Sequence, residues 1–122
     1  MVFAENTAIV NETFMKLIEL VNYFRTKGSF EGFCQSQSLN IDSEVIEIYM
    51  QKPFSINNDL AFFEIENTEG MAEYTFNGVK YFSLFDFYYF LDAIEESNHG
   101  ENASLTDDTI AIHLYGYAIN DA

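Results

Sequence analysis

Apolar positions recur at helical spacing near the start of the chain. Ile9, Val10, Thr13, Phe14, Leu17, Ile18, Val21 and Phe24 follow an i, i+3, i+4, i+7 pattern, while Glu12, Lys16, Glu19, Asn22 and Arg25 fall on the other side. The spacing predicts one amphipathic helix from about Asn6 to Lys27, stopped by Gly28. Residues 29–41 are less regular, with Ser29 placed to cap a brief helix carrying Phe30 and Phe33. Asp42 is an N-cap for a further helix, with Val45, Ile46, Tyr49 and Met50 facing inward and Pro53, the only proline, closing it.

After Pro53 the period shortens. Leu60 to Glu66 reads as a strand with Glu64 and Glu66 on one face and Phe63 and Ile65 on the other, followed by a turn at Asn67 to Gly70. Met71 to Phe76 and Val79 to Phe82 flank Asn77-Gly78, a hairpin signal because both turn residues need positive φ. Ser83, with Asp86 three residues on, opens a predicted helix bearing Leu84, Phe87, Tyr88, Leu91 and Ile94. Residues 97–108 are a polar loop, and Thr109 to Ile119 alternates as a closing strand that would pair with the hairpin. The class is α+β: N-terminal helices followed by a small antiparallel sheet of three to four strands with one helix packed on it. A single domain is expected over residues 1–122.

Composition adds a constraint on partners. With 48 % hydrophobic residues, 13 Phe and 8 Tyr, the chain can bury a core, unlike an acidic disordered tail. Yet 20 acids face 5 bases, a formal net charge of −15. The excess is uneven: residues 1–53 hold 7 acids and 4 bases, residues 54–122 hold 13 acids and the single base Lys80. Such a field repels nucleic acid and anionic membranes, whose binding depends on Lys and Arg, and favours a basic protein surface or multivalent cations. Solubility is the bland account of the same charge. One cysteine, Cys34, rules out an internal disulfide. MVFAENTAIV lacks the basic and apolar regions of a signal peptide, and no segment has the ~18 apolar residues of a membrane span, so a cytoplasmic location is expected.

Candidate chemistry is sparse. His99, His113 and Cys34 show no ligand spacing, and His113 is expected on a strand face opposite Ile112 and Leu114, so neither metal nor cofactor is expected. The Gly-Phe-Cys-Gln-Ser run offers Cys34 no base, which makes a buried thiol the better reading. Glu64/Glu66, Glu95/Glu96 and Asp107/Asp108 are neighbours in sequence rather than carboxyls opposed across a cleft. Binding, not catalysis, is the expectation. The candidate partner-binding residues are Glu64, Glu66, Glu69, Glu73, Tyr74, Tyr81, Asp92, Glu95, Glu96, Glu101, Asp107 and Asp108, because acids steer encounter with a basic surface and tyrosines anchor it. Against this stands a plainer reading, in which the tyrosines are core and the acids a solvated skin.

In size, acidity, aromatic content and lack of catalytic residues, the chain resembles the immunity proteins (antitoxins) of bacterial contact-dependent growth inhibition and colicin systems. The resemblance is one of overall character and carries over no residue. It implies an inhibitor that neutralises a cognate basic toxin, a nuclease, by covering its active site or substrate-binding surface. The alternative is a phage-type DNA mimic of the anti-CRISPR or anti-restriction kind. The run YTFNGVKYF followed by acids is similar to a strand–turn–strand of small acidic anti-CRISPR proteins. A mimic needs rows of acids spaced like phosphates, whereas these acids are dispersed among aromatics, which favours the immunity reading.

Overall fold

A computed structural model describes residues 14–121. Helix α1 spans Leu17–Arg25. Its first helical residue is later than the periodicity predicts, and Lys16 just before it is extended (φ −87°, ψ 163°). Lys16 bridges Asp59 in antiparallel fashion, and the Leu60 amide donates to the Met15 carbonyl at 2.7 Å. Phe14, expected on the buried face, is 74 % exposed. The rest of that expectation, from Asn6 to Thr13, lies outside the described residues. Leu17, Leu20 and Val21 are buried. The helix stops near Gly28, though Lys27 rather than the glycine takes the left-handed conformation (φ 73°). The Gly28 amide returns to the Tyr23 carbonyl and Lys27 to Phe24, the paired bonds of a Schellman cap. Glycine is needed at 28 because a Cβ there would lie 2.4 Å from the Tyr23 ring.

Helix α2, Phe30–Ser36, is capped as expected, the Ser29 hydroxyl accepting from the Gly32 amide at 2.9 Å. The helix expected from Asp42 to Pro53 is instead strand β1, Ile46–Met50, with all five residues buried. Being central and covered on both faces, it shows no polar face to mark it as a strand. Strand β2, Leu60–Glu64, runs directly into a single helical turn, α3, Ile65–Thr68. Glu64 and Glu66 therefore do not share a strand face. Glu69 and Gly70 then turn the chain with positive φ.

The hairpin forms where Asn77-Gly78 places it, with φ of 52° and 81° between β3 (Glu73–Phe76) and β4 (Val79–Asp86). Strand β4 runs on through Ser83, Leu84 and Phe85, which were expected to be helical. A register shift opposite Ile48/Tyr49 there leaves both Leu84 and Phe85 buried. Helix α4, Phe87–Ser97, begins only after Asp86, whose carboxylate accepts from the Tyr89 amide. Phe87, Phe90 and Ile94 are buried, while Tyr88, expected inside, is 62 % exposed. A 3-10 helix at Gly100–Ser104 interrupts the expected loop.

The largest correction is at the end. Thr109 to Ile119 is no strand but part of helix α5, Asp107–Asp121. Its buried residues, Ile110, Ala111, Leu114 and Ala118, form a helical stripe, whereas Ile112 is 57 % exposed. The sheet nonetheless has four antiparallel strands, in the order β2-β1-β4-β3, because β1 supplies the missing one. More than one helix packs on it. One face carries Ile48, Met50, Phe62 and Phe85 into a core shared with α1, α2, α4 and α5. Phe33 meets Phe62 and Phe87 there, at ring centroid distances of 4.9 and 5.0 Å. On the other face Phe63 gathers Tyr49, Tyr74, Phe76 and Tyr81 at 4.9 to 5.5 Å. The same face holds Glu47, buried opposite Phe63, which accepts hydrogen bonds from the Thr68 and Tyr49 hydroxyls. Burial pushes the Tyr49 phenol above its ordinary value, a lowering by Thr68 notwithstanding.

Candidate functional site

The twelve acidic and tyrosine candidates do not form one surface. Glu64 and Glu66 serve the fold. The Asn40 amide donates to Glu64 Oε2 at 2.7 Å, and Glu66 receives the Ser43 hydroxyl at 2.6 Å and the Glu44 amide at 2.9 Å. These bonds, the Ser43 hydroxyl foremost, hold the Glu66 carboxyl below the usual carboxylate range. Tyr74 and Tyr81 belong to the aromatic cluster around Phe63, and Glu73 pairs with Lys80 at 3.3 Å. Asp107 pairs with Arg25 at 2.9 Å and also receives the Asn22 amide group. Glu69 sits exposed on its turn.

Asp92, Glu95, Glu96, Glu101 and Asp108 remain. All five are exposed, and none has an ion pair among the described residues. They occupy α4, the 3-10 helix and the first turn of α5. Between α4 and α5 opens a cleft of about 230 Å³. Ala93, Leu105, Ile110 and Leu114 give it apolar walls, Glu96, Asn102 and His113 a polar rim, and Tyr89 one end. The Tyr89 and Tyr117 rings stack at 4.4 Å, with planes 16° apart. Ile112, Tyr117 and Ile119 carry the apolar surface along α5. No lysine or arginine lines the cleft.

Arg25 stands behind that wall. Its guanidinium donates to the carbonyls of Leu105 (2.8 Å), Ser97 (3.4 Å) and Ala103 (3.5 Å), and its charge is met by Asp107. Its Nε is buried without a hydrogen-bond partner among the described residues.

A larger cavity of about 460 Å³ runs along β2, between Leu60–Glu64 and Gln37–Leu39, beside Phe14. Among the described residues it holds two carboxylates, Asp59 and Glu64, and the second is already engaged by Asn40. The larger cavity is the more aromatic of the two, but the α4–α5 cleft is formed by the elements that carry Asp92, Glu95, Glu96, Glu101 and Asp108, the exposed candidates without an ion pair among the described residues, so it is the better candidate for a basic partner.

His113, expected on a strand, is exposed on α5. Read as a helix, residues 110, 113, 114 and 117 fall on one side, a grouping that the strand alternation conceals. Tyr117 and His113 were therefore missed as site residues. Cys34 is buried, and its burial, followed by the nearby Glu64 charge, pushes its thiol up, away from nucleophilic chemistry. Among the described residues, no three His, Cys, Asp or Glu side chains converge to hold a metal ion. No described helix is long and apolar enough to cross a membrane. Comparison with family models, curated proteins and solved structures returns no match.

Proposed function

We propose that the chain is an immunity-type inhibitor that binds a basic, nucleic-acid-cleaving toxin in the cytoplasm and covers its substrate-binding surface. The observation that carries this reading is Glu96, an exposed carboxylate with no ion pair among the described residues, in the lining of a cleft that holds no Lys or Arg among them, with Asp92, Glu95, Glu101 and Asp108 exposed on the elements that form it. A nuclease active site is basic because it holds phosphates. Exposed carboxylates speed the encounter, and the stacked Tyr89 and Tyr117 supply desolvated area beside the cleft. Acids without apolar area would favour solubility alone; the exposed, stacked Tyr89–Tyr117 pair goes against that account.

The test uses the chain as bait in its producing cell, beside a variant with Asp92, Glu95 and Glu96 changed to Lys. The expected partner is a basic nuclease, retained by the wild type and lost by the variant, whose cleavage of nucleic acid stops at equimolar inhibitor. Its association rate should fall steeply with salt, since exposed charges are screened beyond about 8 Å at physiological ionic strength. A partner held equally by both baits, or a nuclease that stays active when bound, refutes the reading.

A further inference from the structure

We infer that the α4–α5 cleft is a socket for one arginine side chain of the basic partner, an inference that rests on the function proposed above. Size is the first ground. Small-molecule pockets run to about 300–1,000 Å³, and the cleft, at about 230 Å³, matches a single inserted side chain better than a cofactor. Lining is the second. Ala93, Leu105, Ile110 and Leu114 would cover an aliphatic stem, as apolar walls do for long cationic side chains.

The rim supplies the third ground. Among the described residues Glu96 is the one carboxylate in the lining, and Asn102 and His113, exposed like it, line the cleft too. A planar guanidinium with five donors can meet several such acceptors at once, whereas an ammonium is a compact and strongly hydrated point charge. Lysine therefore loses more water for fewer bonds on entering. The exposed acids of α4, Asp92 and Glu95, add attraction without touching the occupant.

Nitrogen-15 spectra of the full chain, titrated with the blocked tripeptide Gly-Arg-Gly, test this directly. The amides of Ala93, Glu96, His113 and Leu114 should shift and saturate. The lysine tripeptide should bind at least about threefold more weakly. The uncharged citrulline tripeptide should leave the spectrum unmoved. Glu96→Gln, at an exposed position where folding is retained, should weaken the arginine peptide at least about threefold. Shifts elsewhere, equal response to lysine, or an unaffected Glu96→Gln variant would overturn the socket. If the arginine peptide fails while charge reversal at Asp92, Glu95 and Glu96 still releases the nuclease, the socket falls and the inhibitor reading stands. If the peptide saturates the cleft but no nuclease is inhibited, the socket stands and the inhibitor reading falls.

Discussion

Phe63 and Phe76 lie on the two outermost strands of the sheet, yet their ring centroids are 5.4 Å apart. Strands spaced about 4.8 Å apart would put those edges about 14 Å from each other in a flat sheet. The sheet must therefore curl until its edges meet across the second face, and Phe63 is the side chain around which it closes. Phe63→Ala should cost about 2–4 kcal/mol, less than the full cost for a wholly buried ring because Phe63 is only half-buried. Phe76→Ala, at an exposed position, should cost about 1 kcal/mol. Urea unfolding of the two variants gives both numbers, and equal costs would argue against Phe63 as the centre of the closure.

Asp107→Ala should be far more damaging than Lys80→Ala. The first leaves the Arg25 guanidinium largely enclosed with its charge unmet, a loss of about 2–4 kcal/mol. The second breaks an exposed pair at 3.3 Å and should change stability by about 0.5 kcal/mol or less. Because Arg25 also binds the carbonyls of Leu105, Ser97 and Ala103, Arg25→Met should loosen the 3-10 helix as well. Amide hydrogen exchange between Ser97 and Leu105 would rise first. Protection there that matches the wild type would contradict the link.

Glu66 gives a pH dependence with a definite sign. Its carboxyl titrates below its ordinary value of 4.5 because Ser43 and Glu44 donate to the ionised form. A depressed folded pKa means that the contribution is fully present above the unfolded value and is lost as pH falls through the folded one. Between pH 4.5 and the lower folded value, the wild type should lose stability that Glu66→Gln never had. Melting temperatures of the two, taken across that interval, should converge on acidification. Curves that stay parallel would remove Glu66 from the account.

Cys34 should react slowly with a disulfide reagent in the folded chain, at alkaline pH as well as at neutral, and rapidly once urea unfolds the protein. Burial both blocks access and raises the thiol's pKa. Fast labelling of the native state would mean that the α2 region opens readily.

The hairpin could be read from sequence because Asn77-Gly78 encodes its turn locally, and α2 because Ser29 encodes its cap. Strand β1 could not be. Glu47 sits among four apolar neighbours and is accommodated by Thr68, 21 residues further on, a bond no local pattern contains. Helix α5 hid behind Thr109-Ile-Ala-Ile, where three of four residues are β-branched. What makes it a helix is the small-residue stripe of Ala111 and Ala118 that goes inside, with Ile112 left out. The candidate acids were visible individually, but their partners were not. Asp107 is separated from Arg25 by 82 residues, Glu64 from Asn40 by 24, and only the fold decides which carboxylates are spent on structure.

Arg25 also bears on the docking proposed at the cleft. The backbone at Leu105 and Ser97 is tethered from behind by a guanidinium that is itself locked to Asp107 and largely enclosed. One wall of the cleft is thus set before contact, so little ordering remains to be done when a side chain enters. Docking should then proceed with small backbone displacement and at a rate governed by collision rather than by rearrangement.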